Sequence, residues 1–173
     1  MKIRRVNLDD TKHLLEIYSP YVVETAISFE YEPPTESEFR DRVKSISSKY
    51  PYIVAEVDGE IVGYAYANVF KGRAAYDKSV ETSIYLKNDK RNSGIGRKLY
   101  DELEKRLKDR GIVNMCACIT KAEESDPHGD MASIKFHKRL GFEVVGEFKH
   151  IGYKFGKWYG IVWVQKKIGD LAI

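Results

Sequence analysis

An α/β layered domain is the fold class this sequence predicts. Three observations carry the prediction: β-rich and amphipathic helical segments follow one another along the whole chain, an Asp-Gly dipeptide joins two of the strands, and another strand passes through a glycine-containing turn into a long amphipathic helix. The 173 residues are 43% hydrophobic and 32% charged. That is the balance of an ordinary globular chain, so one domain over 1–173 is expected, with no internal repeat, linker or low-complexity segment.

Lys2 to Val6 alternates polar and apolar residues as a first strand does. Asp9 or Asp10 can cap a helix carrying Leu14, Leu15, Ile17, Tyr18 and Tyr21 at helical spacing, with Pro20 weakening its end. Pro33 and Pro34 stop it, and Thr35 with Glu38 forms a T-x-x-E capping box for a second helix bearing Phe39, Val43 and Ile46, closed by Pro51. Tyr52–Val57 and Glu60–Val69 read as a hairpin turning on Asp58-Gly59, a pair that tolerates the positive φ angles of a two-residue turn. Val80–Leu86 is the next strand. Ile95, Leu99, Leu103 and Leu107 then form one stripe of a helix that Gly111 ends. Val113–Ile119 is a strand and Lys121–Asp130 a loop. Ser133–Leu140 is a short helix stopped by Gly141, and Phe142–Phe148 and Trp158–Lys166 are the last strands, with Gly152 and Gly156 between them.

Charge and composition exclude little. A net charge of +3 is far from the basic bias of a nucleic-acid binder, and no apolar run of signal-peptide or membrane-spanning length occurs, so the default location is the cytoplasm. Cys116 and Cys118 leave the same face of a strand and are neither a redox pair nor a metal framework; they read as small core residues. No metal site is expected. His13, His128 and His150 read as surface or loop residues.

The segment Arg91-Asn92-Ser93-Gly94-Ile95-Gly96-Arg97-Lys98 lies where strand gives way to helix. Glycines there leave room for a ligand to approach, and the free N–H groups at the helix start, with the positive end of its dipole, suit a pyrophosphate. Neither a Walker A loop nor a dinucleotide fingerprint fits, because position 99 is Leu.

The run from Arg91 to Gly96 resembles the R/Q-x-x-G-x-G/A pattern of the GNAT acetyltransferase superfamily. Ser133-Ile134-Lys135-Phe136-His137-Lys138-Arg139-Leu140-Gly141-Phe142 resembles that family's second signature. Stretches 28–35, 50–59, 71–77 and 80–86 are similar to phosphinothricin N-acetyltransferases and their relatives, and the likeness runs from about residue 2 to 167. It implies a mixed central sheet flanked by helices, acetyl-CoA as cosubstrate, and an acceptor amine of the phosphinothricin, methionine sulfoximine or methionine sulfone class.

The resemblance also implies roles for residues. An amine must lose a proton before it can attack a thioester, and Glu81 matches the family's base. A backbone N–H within Ile84, Tyr85 and Leu86 would steady charge on the carbonyl oxygen, and the same stretch would pair with the pantetheine arm. The loop from Arg91 through Lys98, with Asp130, Ser133 and Phe136, would hold coenzyme A. His137 stands where most members carry a tyrosine that protonates the departing thiolate, and would donate or relay that proton. Lys71, Arg73 and Tyr76 would bind the acceptor's carboxylate or phosphinate, and Phe29 and Tyr31 would wall the acceptor site; core packing explains Phe29 equally well.

Three departures bear on these expectations. Asp130 stands where relatives have Asn, the loop 121–129 looks longer, and Gly160 replaces an acidic residue. Other readings remain: a polyamine, an aminoglycoside or a protein N-terminus as acceptor, or a CoA-binding sensor without turnover. Trp158, Tyr159 and Trp163 suit a homodimer contact or a monomer's core.

Overall fold

The computed structural model describes residues 1–129 and 131–171. In chain order it contains β1 (Lys2–Arg5), α1 (Thr11–Glu24), α2 (Glu36–Lys49), β2 (Tyr52–Val57), β3 (Glu60–Val69), β4 (Ser79–Leu86), α3 (Ile95–Lys108), β5 (Asn114–Lys121), α4 (Ala132–Arg139), β6 (Glu143–Lys154) and β7 (Lys157–Lys167). The strands form one sheet in the order β1-β2-β3-β4-β5-β7-β6, antiparallel except between β4 and β5. Helices cover both faces. Leu99, Leu103 and Leu107 of α3 and Ile134 of α4 pack with Ile53, Ala65 and Val164 on one face. On the other, Leu14, Tyr18 and Val22 of α1 and Phe39 and Val43 of α2 pack with Tyr52, Val54 and Tyr64.

The Asp58-Gly59 turn has φ angles of 51° and 84°, the positive pair that a two-residue hairpin between twisted strands requires. The Thr35 box forms as expected. Glu38 N–H donates to Thr35 Oγ1 at 3.3 Å, and Thr35 N–H donates to the Glu38 carboxylate at 2.8 Å. Thr35→Ala should therefore cost about 1 kcal/mol, seen as a thermal midpoint lower by roughly 2–4 °C; an unchanged midpoint would show that the cap contributes nothing.

Two expectations about these elements need correction. The first cap is Asn7, whose side chain accepts from Asp9 N–H while the Asp10 carboxylate accepts from Asn7 N–H at 2.7 Å; this box starts a single 3-10 turn ahead of α1. Asp10 is also gripped by Arg4 at 2.8 and 2.9 Å. Pro20 lies inside α1 near its end, as expected, and buried Tyr21 and Val22 hold the turn beyond it. The last hairpin turns at Phe155-Gly156, with φ 49° and 75°, and β6 runs on through Gly152 with two register shifts. Gly152 serves close approach, since a side chain there would run into the Phe29 ring.

Cys116 is buried but Cys118 is exposed, so only the first is a core residue. Among the described residues no helix is long and apolar enough to cross a membrane. What positions the site is the short parallel pair: β4 and β5 stay in register only at Ser79–Asn114, Val80–Met115 and Glu81–Cys116. Beyond Glu81 no ladder joins them, and a gap opens in the middle of the sheet.

Candidate active site

At the start of α3 the chain must turn sharply from an exposed segment into a helix. Asn92 and Gly94 supply this with φ of 60° and 81°. The first intrahelical bond is Lys98 N–H to Gly94 C=O at 3.2 Å, so the amides of Ile95, Gly96 and Arg97 precede the ladder and have no helical acceptor. Gly96 and Arg97 border a cavity of about 520 Å³ whose rim carries Arg91, Arg97 and Arg139 and whose wall carries Ile84, Leu86 and Phe136. Gly96 leaves space that a Cβ would narrow to 3.2 Å from Phe136. Guanidinium groups, helix-start amides and an apolar arm-sized wall together match an anionic diphosphate joined to an uncharged tail.

The cavity takes in Ile84, Leu86, Arg91, Asn92, Gly94, Gly96, Arg97, Ser133 and Phe136 of the expected set. Tyr85 points to the opposite face of the sheet, against Tyr18 and Tyr21. Ile95 is buried in the core, and Ser93 and Lys98 are exposed without lining the cavity. Asp130 lies outside the described residues. Pattern reading missed Tyr21, Ile27, Ala132, Arg139 and Leu140, which also line the cavity. Tyr21 is the informative one: its hydroxyl donates to Leu86 C=O at 2.6 Å, reaching from α1 to the edge of the gap. An apolar helical stripe gives no sign that one member caps a strand 65 residues away.

Peptide groups on a strand alternate in direction. Lys87 N–H bonds Val62 C=O on the β3 side, whereas Lys78 C=O accepts from Asn114 N–H on the β5 side. The peptides of Ile84 and Leu86 therefore face the gap, where β5 no longer pairs with them. Of the three residues expected to supply an amide donor, Ile84 and Leu86 have the right direction and Tyr85 faces β3.

Glu81 sits where the gap begins. Its carboxylate is partly buried, and among the described residues it has neither a hydrogen bond nor an ion pair. Burial raises its pKa above the ordinary 4.5, with the charge of Lys71 opposing this. An unpaired carboxylate in such surroundings costs stability, which is a usual mark of a working group.

His137 approaches from the other face of the sheet. It is 3% exposed, and both ring nitrogens are engaged: Nδ1 with Ser133 C=O at 2.8 Å, and Nε2 with the Tyr100 hydroxyl at 2.9 Å. A carbonyl can only accept, so Nδ1 carries the proton and Tyr100 O–H donates to Nε2. Burial lowers the imidazole pKa and keeps the ring neutral. The ring thus has no spare N–H to give across the gap. Tyr100 stands beside it, 3.3 Å from Thr82 Oγ1, and both rings line a small cavity of about 60 Å³ between β4 and β5 with Ile84, Cys118 and Ser133.

On the Glu81 face, the segment after β3 folds over β7. Phe70 packs edge-on against Trp163 at 5.7 Å and against Tyr76 at 5.8 Å, and Lys71 Nζ lies 5.6 Å from the Trp163 ring. Lys71 is near enough to influence Glu81. Arg73 is exposed and caps a 3-10 turn with its backbone only. Phe29 rests on Gly152 and 6.3 Å from Tyr159, and Tyr31 donates to Tyr153 C=O at 2.7 Å. The 121–129 loop is docked. His128 Nδ1 bonds Glu24 C=O at 2.8 Å at the end of α1, and its ring stacks on Phe155 at 3.8 Å. Gly160 has no room for a side chain, because a Cβ would meet Phe148 C=O at 2.8 Å.

Residues 3–163 match the acetyltransferase (GNAT) domain family. The chain belongs to that family. This acetyltransferase is 34% identical over 174 residues to the phosphinothricin N-acetyltransferase of Alcaligenes faecalis, covering 99% of this chain and 85% of that one. It is 31% identical over 166 residues to the L-methionine sulfoximine/L-methionine sulfone acetyltransferase of Pseudomonas aeruginosa, covering 94% and 92%. A crystal structure of a GNAT superfamily phosphinothricin acetyltransferase from Sinorhizobium meliloti in complex with AcCoA superposes with a TM-score of 0.87 at 36% identity, covering 97% of this chain and 88% of that one.

Proposed function

We propose that this acetyltransferase moves an acetyl group from acetyl-CoA to the amine of a small amino-acid-like acceptor of the methionine sulfone, methionine sulfoximine or phosphinothricin class. One observation carries the reading. A partly buried carboxylate without a partner, Glu81, opens the gap beside a cavity whose arginines and helix-start amides suit a diphosphate. The names of the relatives supply the acceptor class.

Bound acetyl-CoA would supply an acyl group activated as a thioester. Arg91, Arg97, Arg139 and the amides at Gly96 and Arg97 hold the diphosphate, and Ile84 and Leu86 present peptide groups to the arm. Glu81 takes the proton from the acceptor's ammonium, and its raised pKa brings it nearer the operating pH. The C–S bond breaks to a thiolate that takes up the second proton shed by the attacking nitrogen, and the Tyr100 hydroxyl, held by His137 Nε2, lines the small cavity between β4 and β5 beside it. Lys71, and Arg73 beside it, attract the acceptor's carboxylate, which disfavours polyamine and aminoglycoside acceptors. Both cysteines are free thiols, which fits a reaction in the cytoplasm.

The test is thiol release with a panel of amines. Methionine sulfone should release coenzyme A thiol from acetyl-CoA and cationic amines should not; binding of coenzyme A without release on any amine would favour a sensor.

A homodimer is part of the same proposal. β6 is an edge strand, and Val145, Phe148, Ile151 and Trp158 on or beside it are more than half exposed, at 58%, 52%, 52% and 58%. A second copy of this chain is the occupant that such a long apolar edge favours. Sedimentation should give a dimer that Phe148→Glu with Trp158→Glu converts to a monomer; a wild-type monomer at tens of micromolar would rule the contact out.

A further inference from the structure

The segment between α1 and α2 belongs to neither helix, yet it reaches the site. Ile27 lines both the large cavity and the small one between β4 and β5, a position it shares with Ile84 and Ser133. It stands where the two spaces meet. The small cavity lies just past the last β4–β5 pair, with Thr82, Ser83 and Ile84 on one side and Ala117, Cys118 and Ile119 on the other. It measures about 60 Å³, the share of two waters in the liquid at roughly 30 Å³ each, which is room for the methyl and carbonyl of an acetyl group.

The end of β6 holds Ile27 there. A segment without helix or ladder must find other partners for its backbone groups, and here they come from far along the chain. Lys154 is 3% exposed, and its three ammonium protons meet three carbonyls: Val22 at 2.6 Å, Thr25 at 2.9 Å and Ser28 at 2.7 Å. Val22 lies in the last turn of α1, where carbonyls lack helical partners and a cation meets the negative end of the helix dipole. Thr25 and Ser28 bracket Ile27, whose own N–H donates to Thr25 Oγ1 at 3.1 Å. Two residues before Lys154, Gly152 leaves the space that the Phe29 ring occupies.

Burying an ammonium on neutral carbonyls is costly, and the charge of Glu30 acts on it only from a distance. An apolar side chain of the same length would fill the space as well. What the ammonium adds is a fixed geometry for three carbonyls on either side of Ile27.

We propose that Lys154 is a positioning residue which, with the seat for Phe29 at Gly152, fixes Ile27 as the stop that limits the transferred acyl group to two carbons. The inference rests on the acetyl transfer proposed above and adds the determinant of the donor's size. Ile27 flanks the acyl group where the cavities meet, so a longer chain collides with it. One added methylene in a packed apolar site changes kcat/KM about tenfold or more.

Thiol release with methionine sulfone and either acetyl-CoA or propionyl-CoA tests this through the ratio of the two kcat/KM values, which a loss of folded protein does not move. The wild type should favour acetyl-CoA about tenfold or more. Ile27→Ala should raise the propionyl-to-acetyl ratio at least about fivefold, and Lys154→Met should raise it in the same direction. The two combined should do no more than Ile27→Ala alone, because Lys154 acts through Ile27. Gly152→Ala, which displaces Phe29 and leaves Lys154 in place, should also raise the ratio. A lowered thermal midpoint with a wild-type ratio in Lys154→Met would make the lysine structural only and overturn the inference, as would an unchanged ratio in Ile27→Ala. If Lys154→Met yields no folded protein, an unchanged ratio in Gly152→Ala overturns it instead. A wild type that releases no thiol from acetyl-CoA with any amine would overturn the proposed reaction and the inference together.

Discussion

Glu81→Gln lowers turnover at least about tenfold and leaves the affinity for coenzyme A nearly intact. The amide cannot accept a proton from the acceptor, whereas the cavity proposed for the diphosphate is built from other residues. The pH profile separates a base from a bystander. Burial raises the Glu81 pKa above 4.5, so kcat/KM should fall on the acid side at a pH above the ordinary carboxylate range, and the variant should lose that limb.

Stability should move the other way. A carboxyl whose folded pKa is raised binds its proton more tightly in the folded chain, so its contribution declines as pH climbs from 4.5 through the folded value. Glutamine removes that penalty, and the variant should melt at or above the wild-type temperature at neutral pH. Near-normal turnover, measured by thiol release, would take Glu81 out of the mechanism.

Gly94→Val should weaken coenzyme A binding about tenfold or more while the chain stays folded. Gly94 sits at φ 81° immediately before α3. A side chain in that left-handed conformation costs roughly 1–2 kcal/mol, and a β-branched one more. A Cβ at Gly94 would meet nothing within 4 Å, so the backbone angle and not crowding is at stake. The chain escapes the strain by turning the loop, which swings the amides of Ile95, Gly96 and Arg97 off the cavity. Calorimetry reads the loss directly, and wild-type affinity in a folded variant would show that the loop conformation is dispensable.

How much of this was legible in the sequence follows from the range of the forces involved. The Thr35 box, the Asp58-Gly59 turn and the stripe of α3 are decided by neighbours within a few residues, and each forms where expected. Misplaced features depended on distant partners. Asp10 looks like a cap, but Arg4 and the Asn7 amide claim its carboxylate. Gly152 looks like a strand break, but it makes room for Phe29 from the far end of the chain.

The site divides in the same way. The glycine loop and Glu81 are visible as motif and position. That the amides of Ile84 and Leu86 face the gap while the Tyr85 side chain leaves it needs the β3 register. His137 stands out by its place in a pattern. Its sealed hydrogen bonds, which leave neither ring nitrogen free, depend in part on a helix packed 37 residues away.

The central claim is that helix-start amides and arginines grip the diphosphate and so hold the acyl group beside Glu81. Calorimetric titration of the folded protein tests it most directly, comparing coenzyme A with pantetheine, which has the arm but no diphosphate. Coenzyme A should bind in the micromolar range and pantetheine at least about thirtyfold more weakly. No association with coenzyme A at millimolar concentration, or equal affinity for the two, would contradict it.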